Sequence, residues 1–89
     1  LANKPGDITL KINKKNRTGG ITVSDKEALI GMNTAFKHLK IVLEPGGAVA
    51  LAAALTNKIN IINKNVLVIA SGGNVDNEVF QKCLKLDDF

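Results

Sequence analysis

A chain of 89 residues has room for one small domain and no more, and at that size a single core leaves little reserve of stability. Hydrophobic residues make up 45% of it and aromatics 3%, so the core is built from Ala, Val, Ile and Leu, the usual filling of helices on a buried sheet. The net charge of +4 comes from scattered Lys, and the densest basic run, Lys14, Lys15 and Arg17, has no aromatic platform beside it, which argues for solvated surface and against a nucleic-acid partner.

Cys83 is the only cysteine and His38 the only histidine. That excludes a disulfide framework and a metal-ligand cluster, and it suits a reducing cytoplasm. The longest uncharged apolar stretch, Pro45 to Leu55, is too short to cross a bilayer, so no membrane span is expected. The chain opens on Leu1 rather than Met, and nothing near it has the layout of a signal peptide; a truncated or excised chain is expected.

In chain order, Pro5-Gly6-Asp7 marks a turn, after which Ile8, Leu10 and Ile12 alternate with polar residues. That pattern suits a strand or a short helix, with helix preferred. Thr18-Gly19-Gly20 breaks it, and the β-branched run Ile21-Thr22-Val23 predicts a brief strand. Ser24-Asp25-Lys26-Glu27 is a capping box, which predicts a helix from Asp25. Ala28, Leu29, Met32, Ala35, Phe36 and Leu39 recur at helical spacing and give it one apolar stripe ending near Lys40.

After the connector Ile41-Val42-Leu43, Glu44-Pro45 reads as a helix entry: Pro fits the first helical position and a carboxylate is favoured beside a helix N-terminus. From Gly46 to Leu55 almost every side chain is small or apolar, so this second helix is expected to be buried all round. Residues 56–64 form a polar loop with Ile59, Ile61 and Ile62 as plugs. Val66-Leu67-Val68-Ile69-Ala70 predicts a buried parallel strand. A last helix is expected from Asp76, with Val79, Phe80, Cys83 and Leu84 on one face.

Ser71-Gly72-Gly73-Asn74 joins that strand to that helix, the geometry at which α/β folds place ligands. The two glycines allow positive φ and close approach, and amides ahead of the last helix are suited to an anion. On the tetrapeptide alone, a phosphate cradle and a plain tight turn are evenly balanced. Asn74 is read as a turn residue making an Asx-type bond, with a place at a subunit boundary as the lesser alternative. His38 and Cys83 are given no chemistry.

Lys40-Ile41-Val42-Leu43-Glu44-Pro45-Gly46-Gly47-Ala48-Val49-Ala50, followed by Val68-Ile69-Ala70-Ser71-Gly72-Gly73-Asn74-Val75-Asp76, resembles the end of the threonine/serine dehydratase and serine racemase family. Upstream, Pro5-Gly6-Asp7-Ile8-Thr9 and Ile21-Thr22-Val23-Ser24-Asp25 resemble that family's Pro-Gly-Glu-Leu-Thr and Val-Thr-Val-Ser-Asp segments. The likeness covers essentially the whole chain. It implies an α/β fold: residues 1–89 are the C-terminal portion of the catalytic domain of a fold type II pyridoxal-phosphate enzyme, helices packed on a short, mostly parallel sheet, with no internal domain boundary.

The resemblance also implies the chemistry, deamination of a hydroxyamino acid to a 2-oxo acid and ammonia. It places Ser71 against the pyridine nitrogen of pyridoxal phosphate, Gly72 where space beside the ring is needed, and Glu44 near the cofactor; this supersedes the phosphate cradle. A neutral hydroxyl opposite the ring nitrogen leaves it largely unprotonated, which favours elimination. The family's Schiff-base lysine, in a Ser-Phe/Tyr-Lys-x-Arg-Gly-Ala segment, and its Gly-rich phosphate loop lie upstream and are absent here. Phe36-Lys37 lacks the flanking Ser, Arg and Gly of that segment. No catalytic residue or metal ligand is therefore assigned to this chain, which is expected to be inactive and free of pyridoxal phosphate by itself. Its expected partners are the missing N-terminal catalytic portion and further copies of itself.

Overall fold

The computed structural model of the chain describes residues 6–16 and 19–87; Leu1, Pro5, Arg17 and Thr18, on which some of the expectations above rest, lie outside them. The described residues form helices α1 (Asp7–Asn16), α2 (Asp25–Leu39), α3 (Pro45–Leu55) and α4 (Asn77–Leu84).

The hub is α2. Ser24 sits in extended backbone, its hydroxyl accepting from the Glu27 N–H at 3.1 Å while its own N–H donates to the Glu27 carboxylate at 2.8 Å. The capping box read from the sequence is therefore present. Lys58, beyond α3, sets its ammonium 3.2 Å from the same carboxylate oxygen. The Ser24 amide and then Lys58 hold the Glu27 carboxyl below its ordinary value. At the other end Lys40 adopts φ 59° and donates its N–H to the Phe36 carbonyl, the left-handed cap that a glycine usually fills.

Helical spacing brings Ala28, Met32 and Ala35 onto one buried face of α2, with Leu29 and Phe36 half-buried beside them and Leu39 exposed at the last turn. Helix α3 packs there through Ala48 and Ala52, both fully buried. Gly31 lets the two backbones close, since a Cβ on it would meet the Ala48 carbonyl oxygen and the Ala52 Cβ at 3.3 Å each. Gly31→Val is expected to lower stability by about 1–3 kcal/mol through overpacking. A denaturation midpoint equal to that of the parent chain would show that the helices do not approach this closely.

Helix α4 covers another side of α2. Cys83 is fully buried, Val79 and Phe80 pack against the same core, and the Phe80 ring meets Phe36 edge-on with centroids 5.2 Å apart, a favoured aromatic geometry. Asn33, which the apolar stripe does not announce, is fully buried. Its Nδ2 donates to the Leu86 carbonyl and ties the chain beyond α4 to α2, while its Oδ1 is buried without a partner among the described residues.

Burial pushes the Cys83 thiol up from its ordinary 9.0, so a thiol reagent is expected to label it only as fast as the fold opens. A raised folded value also means that the thiol's contribution to stability is full below its unfolded pKa and is lost as pH rises through the folded one. Labelling of the folded chain at the rate of an unfolded control would contradict this burial.

The described residues contain no strand, and this corrects the α/β assignment and its mostly parallel sheet. A strand exists only where a neighbouring segment supplies the ladder bonds, and the two extended runs at 21–23 and 66–70 do not pair with each other or with anything else described. The second run, expected to be buried, is open: Leu67 is 89% exposed and Ile69 69%. Ile62 is exposed rather than plugging its loop, and α3 leaves Val49 and Leu55 exposed instead of being covered all round. The ambiguous segment at Ile8–Ile12 is helical, as α1, and buries none of its residues. No helix among the described residues is long and apolar enough to cross a membrane.

Candidate functional site

The Ser71-Gly72-Gly73-Asn74 turn follows the open 66–70 run and leads into α4, whose N-cap is Asp76. The Val75 N–H donates to the Gly73 carbonyl at 2.9 Å, closing a tight three-residue turn. Asn74 is exposed, and the turn is closed by backbone rather than by the Asx-type bond expected of its side chain.

This turn is docked on the start of α3. The Glu44 N–H donates to the Gly72 carbonyl at 2.9 Å, so the residue that caps α3 also fastens the turn. Pro45 in the first helical turn presets the backbone angle at which the chain enters α3 and leaves Glu44 extended. Of the three residues singled out in the sequence, Gly72 and Glu44 are thus in direct contact, and Ser71 stands next in the chain, exposed to solvent.

Glycine makes the approach possible, though not through left-handed backbone, because no described glycine has positive φ. What the positions need is the missing Cβ. A Cβ on Gly72 would run into the Glu44 carboxylate, and one on Gly73 into the Val42 carbonyl oxygen. One on Gly47 would strike the Gly72 carbonyl oxygen and come within 2.8 Å of the Gly72 amide nitrogen.

Glu44 is half-buried and makes no side-chain capping bond, so it is not a carboxylate satisfied by the helix amides. One of its carboxylate oxygens occupies the place a Gly72 Cβ would take. Backbone and side chain of Glu44 therefore both address Gly72.

Gly47 and the Val42 carbonyl are parts of this site that the sequence reading missed. The signal was the presence of two Gly-Gly steps, one at α3 and one in the turn. Which glycine of each pair faces the other is settled only by tertiary packing.

The described residues hold no group of three or more His, Cys, Asp and Glu suited to a metal ion. An apolar groove of about 270 Å³ lies between α3 and the two extended runs, lined in part by Ile21, Val23, Val49, Ile59 and Leu67. None of Ser71, Gly72 and Glu44 lines it.

Several curated proteins are similar to this chain. It is 43% identical over 70 residues to a beta-hydroxyaspartate dehydratase of Paracoccus denitrificans, a match covering 79% of this chain and 22% of that protein. It is 37% identical over 73 residues to an L-threonine ammonia-lyase of Thermotoga maritima, covering 82% of this chain and 18% of the relative. A serine racemase of Schizosaccharomyces pombe is 40% identical over 73 residues, 82% of this chain and 23% of the racemase. The chain thus spans about a fifth of the length of these curated relatives. No family model matches it, and no solved structure does.

Proposed function

We propose, because the chain belongs to the family of threonine/serine dehydratases and serine racemases, that it forms one wall of a pyridoxal-phosphate site in a longer hydroxyamino-acid ammonia-lyase. The observation that carries this reading is the Glu44 N–H bond to the Gly72 carbonyl at 2.9 Å. It joins two motifs far apart in sequence into one surface, with Ser71 open beside it.

The residues present fit the group. Gly72 offers a flat backbone with no side chain, and the half-buried Glu44 occupies the place a Gly72 Cβ would take. The exposed Ser71 hydroxyl, able to donate or accept one hydrogen bond, is available to a ring nitrogen. Ser71, Gly72 and Glu44 are therefore the residues that would hold this face of the cofactor. Pyridoxal phosphate, when bound, supplies an electron sink for the substrate's α-carbon.

The contribution of this chain is to tune and place that sink. Ser71 would offer a ring nitrogen a neutral hydroxyl rather than a carboxylate, which would leave the ring largely unprotonated and favour loss of the β-hydroxyl. Glu44 and the glycines around it fix the turn from which Ser71 projects. The substrate class is a hydroxyamino acid such as threonine or serine, and the products are a 2-oxo acid and ammonia. The Schiff-base lysine and phosphate loop belong to the missing N-terminal catalytic portion, so the 89-residue chain by itself is inactive.

The exposed apolar residues Leu67 and Ile69 support a second reading for the isolated chain, that of a packing piece that self-associates through the surface the rest of the protein covers. Monomeric sedimentation of the isolated chain would contradict it. We place the complete protein in the cytoplasm, where a lone buried thiol such as Cys83 stays reduced.

The test is the intact mass of the natural product, with its absorbance recorded before and after borohydride reduction. A longer polypeptide carrying a reducible cofactor adduct is expected. A product of this length with no adduct would overturn the enzyme reading.

A further inference from the structure

Gly46 and Gly47 stand side by side in the first turn of α3, yet their surroundings differ. A Cβ on Gly46 would have nothing within 4 Å, whereas one on Gly47 would strike the Gly72 backbone. Gly46 is exposed and Gly47 buried. Helix propensity favours alanine at both, so the need for glycine at position 47 comes from the turn that rests on it and not from the helix.

We propose that Gly47 is a positioning residue for the Ser71 hydroxyl: its bare α-carbon sets how closely the Ser71-Gly72-Gly73 turn seats on α3, and so where Ser71 presents its oxygen. That a pyridoxal-phosphate ring is what Ser71 meets rests on the function proposed above. The seating of the turn does not. Three contacts define the seat: the Gly72 backbone over the Gly47 α-carbon, the Glu44 N–H bond to the Gly72 carbonyl, and the Gly73 α-carbon against the Val42 carbonyl. An added methyl at position 47 has to displace one of its two sides. Helix α3 is anchored just beyond by Ala48, fully buried in the core, so the turn is the side that gives way. Ser71 adjoins Gly72 and moves with it.

The experiment uses the complete protein as wild type, Gly47→Ala and Gly46→Ala. Pyridoxal phosphate affinity and absorbance spectrum are recorded by titration of the apo form, and hydrogen exchange is followed over residues 71–75. Gly47→Ala is expected to weaken pyridoxal phosphate by about tenfold or more, as a small misplacement of a contacting group does. It is also expected to shift the cofactor's absorbance and to speed exchange in the turn, whereas Gly46→Ala matches wild type in all three. Loss of packing alone would lower the melting temperature without moving the spectrum of the bound cofactor.

Gly47→Ala behaving as Gly46→Ala in affinity, spectrum and exchange overturns the proposal. If wild type binds no pyridoxal phosphate, the functional reading fails, while exchange in the turn still decides the seating. If Gly47→Ala does not fold, the Glu44 amide of wild type decides it: protection from exchange supports the seat, and free exchange there overturns it.

Discussion

Met32→Ala is expected to lower the unfolding free energy of the chain by about 2–5 kcal/mol. Met32 is fully buried and belongs to the cluster formed with Ala35, Leu43, Ala48 and Cys83. It lies on α2, the helix that packs against both α3 and α4, so a cavity there loosens both contacts. Small domains have total stabilities of about 5–15 kcal/mol, so this one substitution removes a large share. Met32→Leu, which keeps the volume, is expected to change stability by less than about 1.5 kcal/mol. Urea denaturation of the two variants checks the pair. Equal midpoints for Met32→Ala and the parent chain would mean that Met32 is not at the centre of the core.

In the complete protein, Ser71→Asp is expected to slow ammonia release by at least about tenfold, a change on the order of 1.4 kcal/mol in the barrier. A carboxylate opposite a ring nitrogen favours its protonated form. That deepens the electron sink and removes the bias toward losing the β-hydroxyl. The cofactor's absorbance is expected to change with it. Ser71→Ala keeps the position neutral and is expected to have the smaller effect on rate. Because Ser71 is exposed in this chain, neither substitution is expected to change the unfolding free energy of the isolated chain by more than about 0.5 kcal/mol. The rate effect is thereby separated from folding. Ser71→Asp turning over at the wild-type rate would mean that Ser71 does not face the ring.

The parts of this fold that could be read from sequence are those whose physics closes within a few residues. The Ser24-to-Glu27 capping box, the entry of α3 at Pro45 and the start of α4 one residue after Asp76 all stand as expected or within one position. Each depends on residues within one turn of the helix start: Ser24 and Glu27 bond reciprocally, Pro45 presets the backbone of the first turn of α3, and Asp76 stands in extended backbone ahead of α4. The two motifs around Glu44 and Ser71 were legible for the same reason, as short strings with a fixed composition.

What could not be read depends on partners distant in the chain. The apolar run at 66–70 has the composition of a buried strand, but pairing and burial are properties of a neighbour, and among the described residues none pairs with it as a strand. Its exposure reflects a hydrophobic pattern larger than the surface available to cover it. Asn33 was invisible because a helical stripe is counted in apolar residues, whereas its burial is satisfied in part by the Leu86 carbonyl across the fold. Gly47 was read as a small residue in a crowded helix. Its contact with Gly72 needed the turn to be brought back onto α3, which no local signal encodes.

The proposal that Ser71, Gly72 and Glu44 form one face of a pyridoxal-phosphate site is open to direct observation in the complete protein. The most direct measurement is a crystal structure of the complete protein with pyridoxal phosphate bound. The Ser71 hydroxyl is expected within hydrogen-bonding distance of the pyridine nitrogen, with the Gly72 backbone beside the ring and the Glu44 N–H still bonded to the Gly72 carbonyl. A cofactor seated away from this turn, or a ring nitrogen facing a different side chain, would contradict it.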